Sequence, residues 1–124
     1  MRFAIYARKS TESVDRQVQS LDDQIRELTN LATRENYTVV EIFQESRSAK
    51  APGNRPEFDR MLNIIEAGDL DGVLTWAINR LSRNPVDGGR IAYLLQTRRL
   101  SMIRTIEKPY LPDDNALLLS IENG

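Results

Sequence analysis

The chain has 124 residues, a length typical of one domain, and its 17 basic and 18 acidic side chains give a net charge of −1. This balance excludes a strongly basic protein that holds nucleic acid by its overall charge alone. Histidine and cysteine are both absent, which excludes Ser-His-Asp and Cys-His catalysis, thiolate zinc sites and disulfide bonds.

The first half of the chain alternates between short apolar runs and an amphipathic stretch. Residues 3–7 are apolar and too few for a helix, so they predict a buried strand. Apolar side chains then recur every three or four positions over about residues 15–36, which predicts a helix with one buried face. Residues 38–43 predict a second strand, and residues 46–54, which contain a Pro-Gly pair, predict a loop.

The second half continues this alternation. Pro56 suits the first turn of a helix, and Gly68 supplies its stop. The elements predicted after it are a strand at residues 72–78 with Trp76 in the core, a helix from Pro85 to about residue 100, a strand at residues 101–106, and a turn marked by Pro109 and Pro112.

Strands that alternate with helices predict the α/β class, with a mostly parallel central sheet of about four to five strands flanked by helices. Residues 113–124 begin like a further helix, and the chain ends within its apolar run. We therefore expect a domain over residues 1–112 followed by the start of a truncated helix. No signal sequence or membrane span is recognised, which favours a cytoplasmic protein without a membrane partner.

The residues that follow the predicted strands are rich in arginine. Ligands of open α/β sheets bind outside the carboxyl ends of the strands, and the polar residues expected there are Arg8, Ser10, Glu45, Arg55, Asn79, Arg80 and Arg83. Arginine is a forked and permanently charged phosphate ligand that stabilises the charge of a transferring phosphoryl group. A serine beside these arginines could attack phosphorus and hold it as a phosphoserine ester.

The sequence leaves open how such a serine is activated. With no histidine present to remove its proton, activation would have to come from the arginine field, from Lys9 or Glu45, or from solvent. Between Trp76 and Arg104, six arginines accompany Asp87 as the one acidic residue, so this stretch is basic although the whole chain is not. Oxygen ligands could hold magnesium, but nothing in the sequence requires a metal or a cofactor, and we expect neither.

Four segments resemble the catalytic domain of the serine recombinases in order and spacing: YARKS (6–10), RQVQSLDDQ (16–24), RPEFDRML (55–62) and NRLSRNP (79–85). This family includes resolvases, DNA invertases and the large serine integrases and transposases. The resemblance spans nearly the whole chain. The spacer between Glu45 and Arg55 and the segment RPEFDRML are closer to the large serine recombinases.

The resemblance implies a resolvase-like fold and site-specific DNA recombination. Ser10 would attack the DNA phosphodiester to form a transient 5′-phosphoserine linkage, followed by strand exchange and rejoining. The arginines that match the active site of the family are Arg8, Arg55, Arg80 and Arg83, and the supporting polar residues that match are Tyr6, Gln19, Gln24 and Glu45. Double-stranded DNA is the implied partner, and the family works as homo-oligomers, in which dimers assemble to tetramers. A long helix and a DNA-binding region follow the catalytic domain in the family, so residues 113–124 would begin that helix.

One position departs from the family pattern. The residue before Arg80 is commonly aspartate, whereas this chain has Asn79, which cannot donate a proton as a general acid at neutral pH. Three interpretations stay open: Asn79 is a hydrogen-bonding scaffold, Arg80 or Arg83 handles the leaving oxygen, or the protein is a mildly impaired member.

A non-catalytic function is the alternative. In this interpretation an α/β module binds a phosphate-bearing ligand or regulatory partner in its arginine pocket, and Ser10 only donates a hydrogen bond. Taken singly, a serine at a strand end is typical of a turn or cap, and an arginine is typical of solvated surface. The four ordered segments together favour the recombinase.

Overall fold

The structure is a computed structural model that describes residues 1–8, 20–45, 55–81 and 85–113. Its strands are β1 (Arg2–Arg8), β2 (Thr38–Glu45), β3 (Gly72–Thr75), β4 (Met102–Arg104) and β5 (Pro109–Tyr110). Its helices are α1 (Leu21–Glu35), α2 (Pro56–Glu66), α3 (Ile78–Leu81) and α4 (Pro85–Gln96). Within these ranges, no helix is long and apolar enough to cross a membrane.

The strands form one sheet in the order β2-β1-β3-β4-β5. The β1 strand lies between β2 and β3 and runs parallel to both, β4 runs parallel to β3, and β5 pairs antiparallel to β4. The predicted α/β class with a mostly parallel sheet is confirmed. Because parallel strands end at the same edge of a sheet, the carboxyl ends of β1, β2 and β3 lie together.

Helices cover both faces of this sheet. Along β1 the side chains alternate, so that Phe3 and Ile5 pack towards α1, whereas Ala4 and Tyr6 pack towards α2 and α4. The buried apolar residues that α2 and α4 contribute to the second face are Phe58, Met61, Leu62, Ile65, Ile91, Ala92, Leu94 and Leu95. This three-layer packing fixes the helices that surround the carboxyl edge of the sheet.

The first helix begins later than the sequence pattern predicts. Ser20 has an extended backbone, and its hydroxyl accepts a hydrogen bond from the Asp23 N–H at 3.2 Å, so it is the N-cap of α1. Positions 15–19 of the predicted helix lie outside the described residues. At the other end, Asn36 adopts a left-handed conformation with φ of 61° and ends the helix.

The third strand is shorter than predicted. The sequence pattern predicts a strand over residues 72–78, but β3 stops at Thr75 and the chain turns into the short helix α3. The last pair between β1 and β3 is Tyr6 with Thr75, and beyond it the Arg8 side chain of β1 binds the backbone carbonyls of α3. Trp76 therefore follows the strand and is half-buried, not a core residue of the sheet.

The remaining boundaries differ by a few residues. The β2 strand extends to Glu45, α4 ends at Gln96 because Arg98 takes a left-handed conformation, and β4 covers only the middle of the predicted strand. The predicted turn after β4 instead contributes the edge strand β5, whose proline tolerates an edge position. The predicted loop at residues 46–54 lies outside the described residues, as does the predicted helix beyond Asp113.

Candidate active site

The predicted site residues that the structure describes gather at the carboxyl edge of the sheet. Arg8 is the last residue of β1 and lies opposite Glu45, the last residue of β2. Asn79 and Arg80 lie on α3, directly after β3. The described set is Tyr6, Arg8, Gln24, Glu45, Arg55, Asn79 and Arg80, whereas Ser10, Gln19 and Arg83 lie outside the described residues.

Arg8 binds the backbone of α3. Its Nε donates to the Arg80 carbonyl at 3.1 Å, and its Nη2 donates to the Asn79 carbonyl at 2.9 Å. Gln24, on α1, donates from its Nε2 to the Arg8 carbonyl at 3.2 Å. The end of β1 is thereby joined to helices on both sides, while the Asn79 residue itself is exposed.

Arg55 is enclosed by the protein and is 1% exposed. Its Nη1 donates to the Leu81 carbonyl at 2.6 Å and to the Tyr6 hydroxyl at 3.5 Å. Its Nη2 donates to the Asp87 carboxylate at 3.0 Å, and the guanidinium carbon lies 3.8 Å from the centre of the Phe58 ring. The guanidinium thus connects α2, α3, α4 and β1.

Asp87 is the site residue that the sequence patterns do not identify. It lies in the first turn of α4, where an acidic residue commonly interacts with the helix dipole. Its position as the one acidic residue of an arginine-rich stretch is the signal that could have found it. Its carboxylate is buried and pairs with Arg55.

Glu45 caps a helix from the neighbouring strand. Its Oε2 accepts hydrogen bonds from the backbone N–H groups of Glu57 and Phe58, both at 3.0 Å, and from the Tyr6 hydroxyl at 3.4 Å. The N-cap residue of α2, Arg55, makes no side-chain cap. Glu45 therefore satisfies two amides that the first turn of every helix leaves without intrahelical partners.

Burial raises the pKa values of the Glu45 carboxyl and the Tyr6 phenol. It raises the pKa of the Glu45 carboxyl, against the backbone N–H groups of Phe58 and Glu57, which lower it. Burial also raises the pKa of the Tyr6 phenol above its usual range. Tyr6 is therefore protonated at neutral pH and acts as a donor to Glu45, which excludes a base role for it.

The raised pKa of Glu45 predicts a measurable pH dependence of folding. A carboxyl whose pKa is higher in the folded state contributes stability that is fully present below its ordinary value of 4.5 and is lost as the pH rises through the folded value. Glu45→Gln keeps an oxygen that accepts the same amides but does not ionise. We expect a flatter decline of stability above pH 4.5 for this variant, measured by thermal unfolding.

Glu41→Gln is the matched control, because Glu41 lies on the same strand but pairs with Arg60 at the surface. This control should retain the decline that Glu45 causes. Identical pH profiles for wild type and Glu45→Gln would show that Glu45 titrates alike in the folded and unfolded chain.

The described residues form a positively charged internal frame. Arg8, Arg55 and Arg80 are each at most 5% exposed, and the buried carboxylates near them are Glu45 and Asp87. Three arginines against two carboxylates leave a net positive charge, which suits an anion such as a phosphate. Within the described ranges, no three acidic side chains gather where they could hold a metal ion.

Comparisons with known proteins relate nearly the whole chain to resolvases and serine recombinases. The sequence profile described as "Resolvase, N terminal domain" matches residues 3–120. The chain is similar to the N-terminal catalytic domain of TP901-1 integrase, with 28% identity, coverage of 86% of this chain and 78% of that one, and a TM-score of 0.67. It is also similar to the C-terminal catalytic domain of ISC1926 TnpA, an IS607-like serine recombinase, with 27% identity, coverage of 97% and 76%, and a TM-score of 0.68.

A third structure shares the fold. It is a resolvase family site-specific recombinase from Streptococcus pneumoniae, with 23% identity, coverage of 99% of this chain and 83% of that one, and a TM-score of 0.69. No curated protein matches the chain.

Proposed function

Because the chain belongs to the family described as "Resolvase, N terminal domain", we propose that it is the catalytic domain of a site-specific DNA recombinase in which Ser10 is the nucleophile. The observation that carries the proposal is the contact of Arg8 with the backbone of Asn79 and Arg80, which brings two arginines of the family pattern to one edge of the sheet. This edge directly precedes Ser10 in the chain.

The chemistry is a reversible transesterification. The Ser10 Oγ attacks phosphorus and loses its proton, an Oγ–P bond forms, and the P–O3′ bond breaks to leave a free 3′ hydroxyl and a 5′-phosphoserine. The 3′ hydroxyl of an exchanged strand then attacks the same phosphorus and releases the serine. Arg8, Arg80 and Arg83 stabilise the charge on the non-bridging oxygens, as guanidinium groups do in phosphoryl transfer.

The geometry restricts the proton donors and acceptors. Glu45 is a poor candidate for the base, since its Oε2 already accepts three hydrogen bonds inside the protein. Tyr6 is held protonated by burial, which raises the pKa of its phenol. Asn79 has no ionisable proton, so the proton for the leaving 3′ oxygen comes from another donor.

We further propose that double-stranded DNA is bound with the help of parts outside the described residues. The net charge is −1, and none of the helices in the described ranges has the features of a groove-reading motif. Residues 113–124 would begin the helix that leads to a DNA-binding region. The active form would be a homo-oligomer, a dimer that assembles to a tetramer, in the cytoplasm.

A covalent trapping experiment tests this function. The full protein that carries this chain is incubated with a duplex that contains its recombination site and is labelled at the 3′ end of the cleaved strand. We expect a labelled protein band in a denaturing gel, and mass spectrometry of its peptides should place the nucleotide on Ser10. Tight DNA binding without any adduct would contradict the proposal and favour a non-catalytic phosphate-binding module.

A further inference from the structure

The strongest feature that the proposed chemistry does not use is a buried ion pair behind the site. Arg55 and Asp87 lie 3.0 Å apart, and their side chains are 1% and 2% exposed. Every other ion pair in which both partners are described residues has at least one side chain exposed by 35% or more. This pair is therefore part of the interior, although the family pattern places Arg55 among the residues that act on DNA.

The donors of Arg55 point into the protein. Its two terminal nitrogens bind the Leu81 carbonyl, the Tyr6 hydroxyl and the Asp87 carboxylate, and its plane lies against the Phe58 ring. A DNA phosphate approaches from outside and would have to displace these partners to reach the guanidinium. In this arrangement Arg55 acts on protein groups and not on the phosphate.

The group that Arg55 binds most closely, the Leu81 carbonyl, belongs to α3, which also carries Arg80. The carbonyls of three successive residues of α3 are held by two side chains: Arg8 binds those of Asn79 and Arg80, and Arg55 binds that of Leu81. A helix of four residues is too short to be stable by its own hydrogen bonds. Its placement therefore depends on these two arginines.

We propose that Asp87 is a positioning residue of the recombinase: it fixes the Arg55 guanidinium, which fixes α3 and thereby places Arg80 against the DNA phosphate. This inference rests on the proposed function. The carboxylate can perform this task because α4 presents it in its first turn, where its second oxygen also receives Arg90 at 3.5 Å.

Stability alone does not account for a buried charge pair, because apolar residues of similar volume often replace such pairs without loss. What an apolar pair cannot supply is a donor for the Leu81 carbonyl at a fixed place. A positioning role therefore predicts slower cleavage in a variant that still folds and binds DNA, whereas a purely structural role does not.

The test compares Asp87→Asn with Asp87→Glu and with the surface control Asp59→Asn, which removes the other carboxylate that binds Arg90. Binding to the recombination site and single-turnover cleavage at saturating DNA are measured for each full-length variant. We expect Asp87→Asn to cleave about 10- to 100-fold more slowly with unchanged affinity, since small misplacements of catalytic groups have effects of this order. Asp87→Glu should recover part of the rate, and Asp59→Asn should behave as wild type.

Asp87→Asn with wild-type cleavage would overturn the proposal, and so would parallel losses of cleavage, affinity and melting temperature. If that variant does not fold, the double change Arg55→Met with Asp87→Leu removes both buried charges at once. The proposal then requires restored folding and DNA binding with slow cleavage, and wild-type cleavage by the double variant would disprove it. Failure of the proposed function can be told apart from failure of the Asp87 proposal, because in that case the wild-type protein itself would form no covalent adduct with DNA.

Discussion

Replacing Ser10 by alanine should abolish covalent attachment to DNA and recombination while the protein still binds its site. The change removes the one oxygen that forms the ester with phosphorus in the proposed mechanism. It alters no charge, so the arginines that attract the phosphate stay in place. The measurements are the labelled adduct in a denaturing gel and the affinity for the same duplex.

Ser101→Ala is the matched control, since Ser101 is an exposed serine that directly precedes β4, at the opposite edge of the sheet from the site. This variant should form the adduct at the wild-type rate. An adduct formed by Ser10→Ala, or recombination by it, would remove Ser10 from the mechanism. Loss of both binding and attachment would mean that the serine holds the phosphate and does not attack it.

The sequence predicts the order of the elements because each carries a strong local signal. The run at residues 3–7 is apolar throughout, as expected for a strand buried on both faces, and the helical repeat of α1 and α2 is clear. Pro56 and Gly68 mark the ends of α2 well, and Gly68 adopts the positive φ of 86° that its type allows. The fold class follows from this alternation alone.

The predicted strand boundaries are wrong where the pairing of strands, and not the local sequence pattern, determines the structure. An apolar run such as residues 72–78 is compatible with a strand throughout, but β3 leaves the sheet after Thr75, although the neighbouring strand β1 continues to Arg8. The short edge strand β5 has the same origin, since a strand of two residues, Pro109 and Tyr110, carries no periodic signal. Tertiary hydrogen bonds determine both boundaries.

In the candidate active site, too, the local sequence predicts the residues but not their partners. Its arginines are predicted by their positions after strands, but their partners are far away in the chain: Arg55 and Asp87 are 32 positions apart, and Tyr6 and Glu45 are 39 apart. No spacing rule connects such pairs. The sequence therefore identifies which residues reach the edge, whereas only the fold shows which protein groups each buried arginine binds, such as the Leu81 carbonyl and the Asp87 carboxylate for Arg55.

Arg80→Ala should impair cleavage far more than binding. A guanidinium directed at the phosphate matters most when negative charge develops on its oxygens, and loss of one such donor typically slows the reaction by about 100- to 1,000-fold. In binding, the same loss amounts to about one phosphate contact, which lowers the salt dependence of the affinity by about 0.9 in its logarithmic slope. Single-turnover cleavage and a salt titration of binding separate these effects.

Arg99→Ala is the control, because Arg99 is exposed and its guanidinium binds the Glu66 carbonyl at the end of α2. The Arg99→Ala variant should leave cleavage unchanged. Equal losses of cleavage and binding in Arg80→Ala would indicate that Arg80 only docks the phosphate.

A double variant with Asp87 tests whether the two residues act together. If Asp87 acts through the placement of Arg80, adding Asp87→Asn to Arg80→Ala should slow cleavage little further, since residues in one pathway are not additive. Fully additive losses would mean that Asp87 acts through a different group.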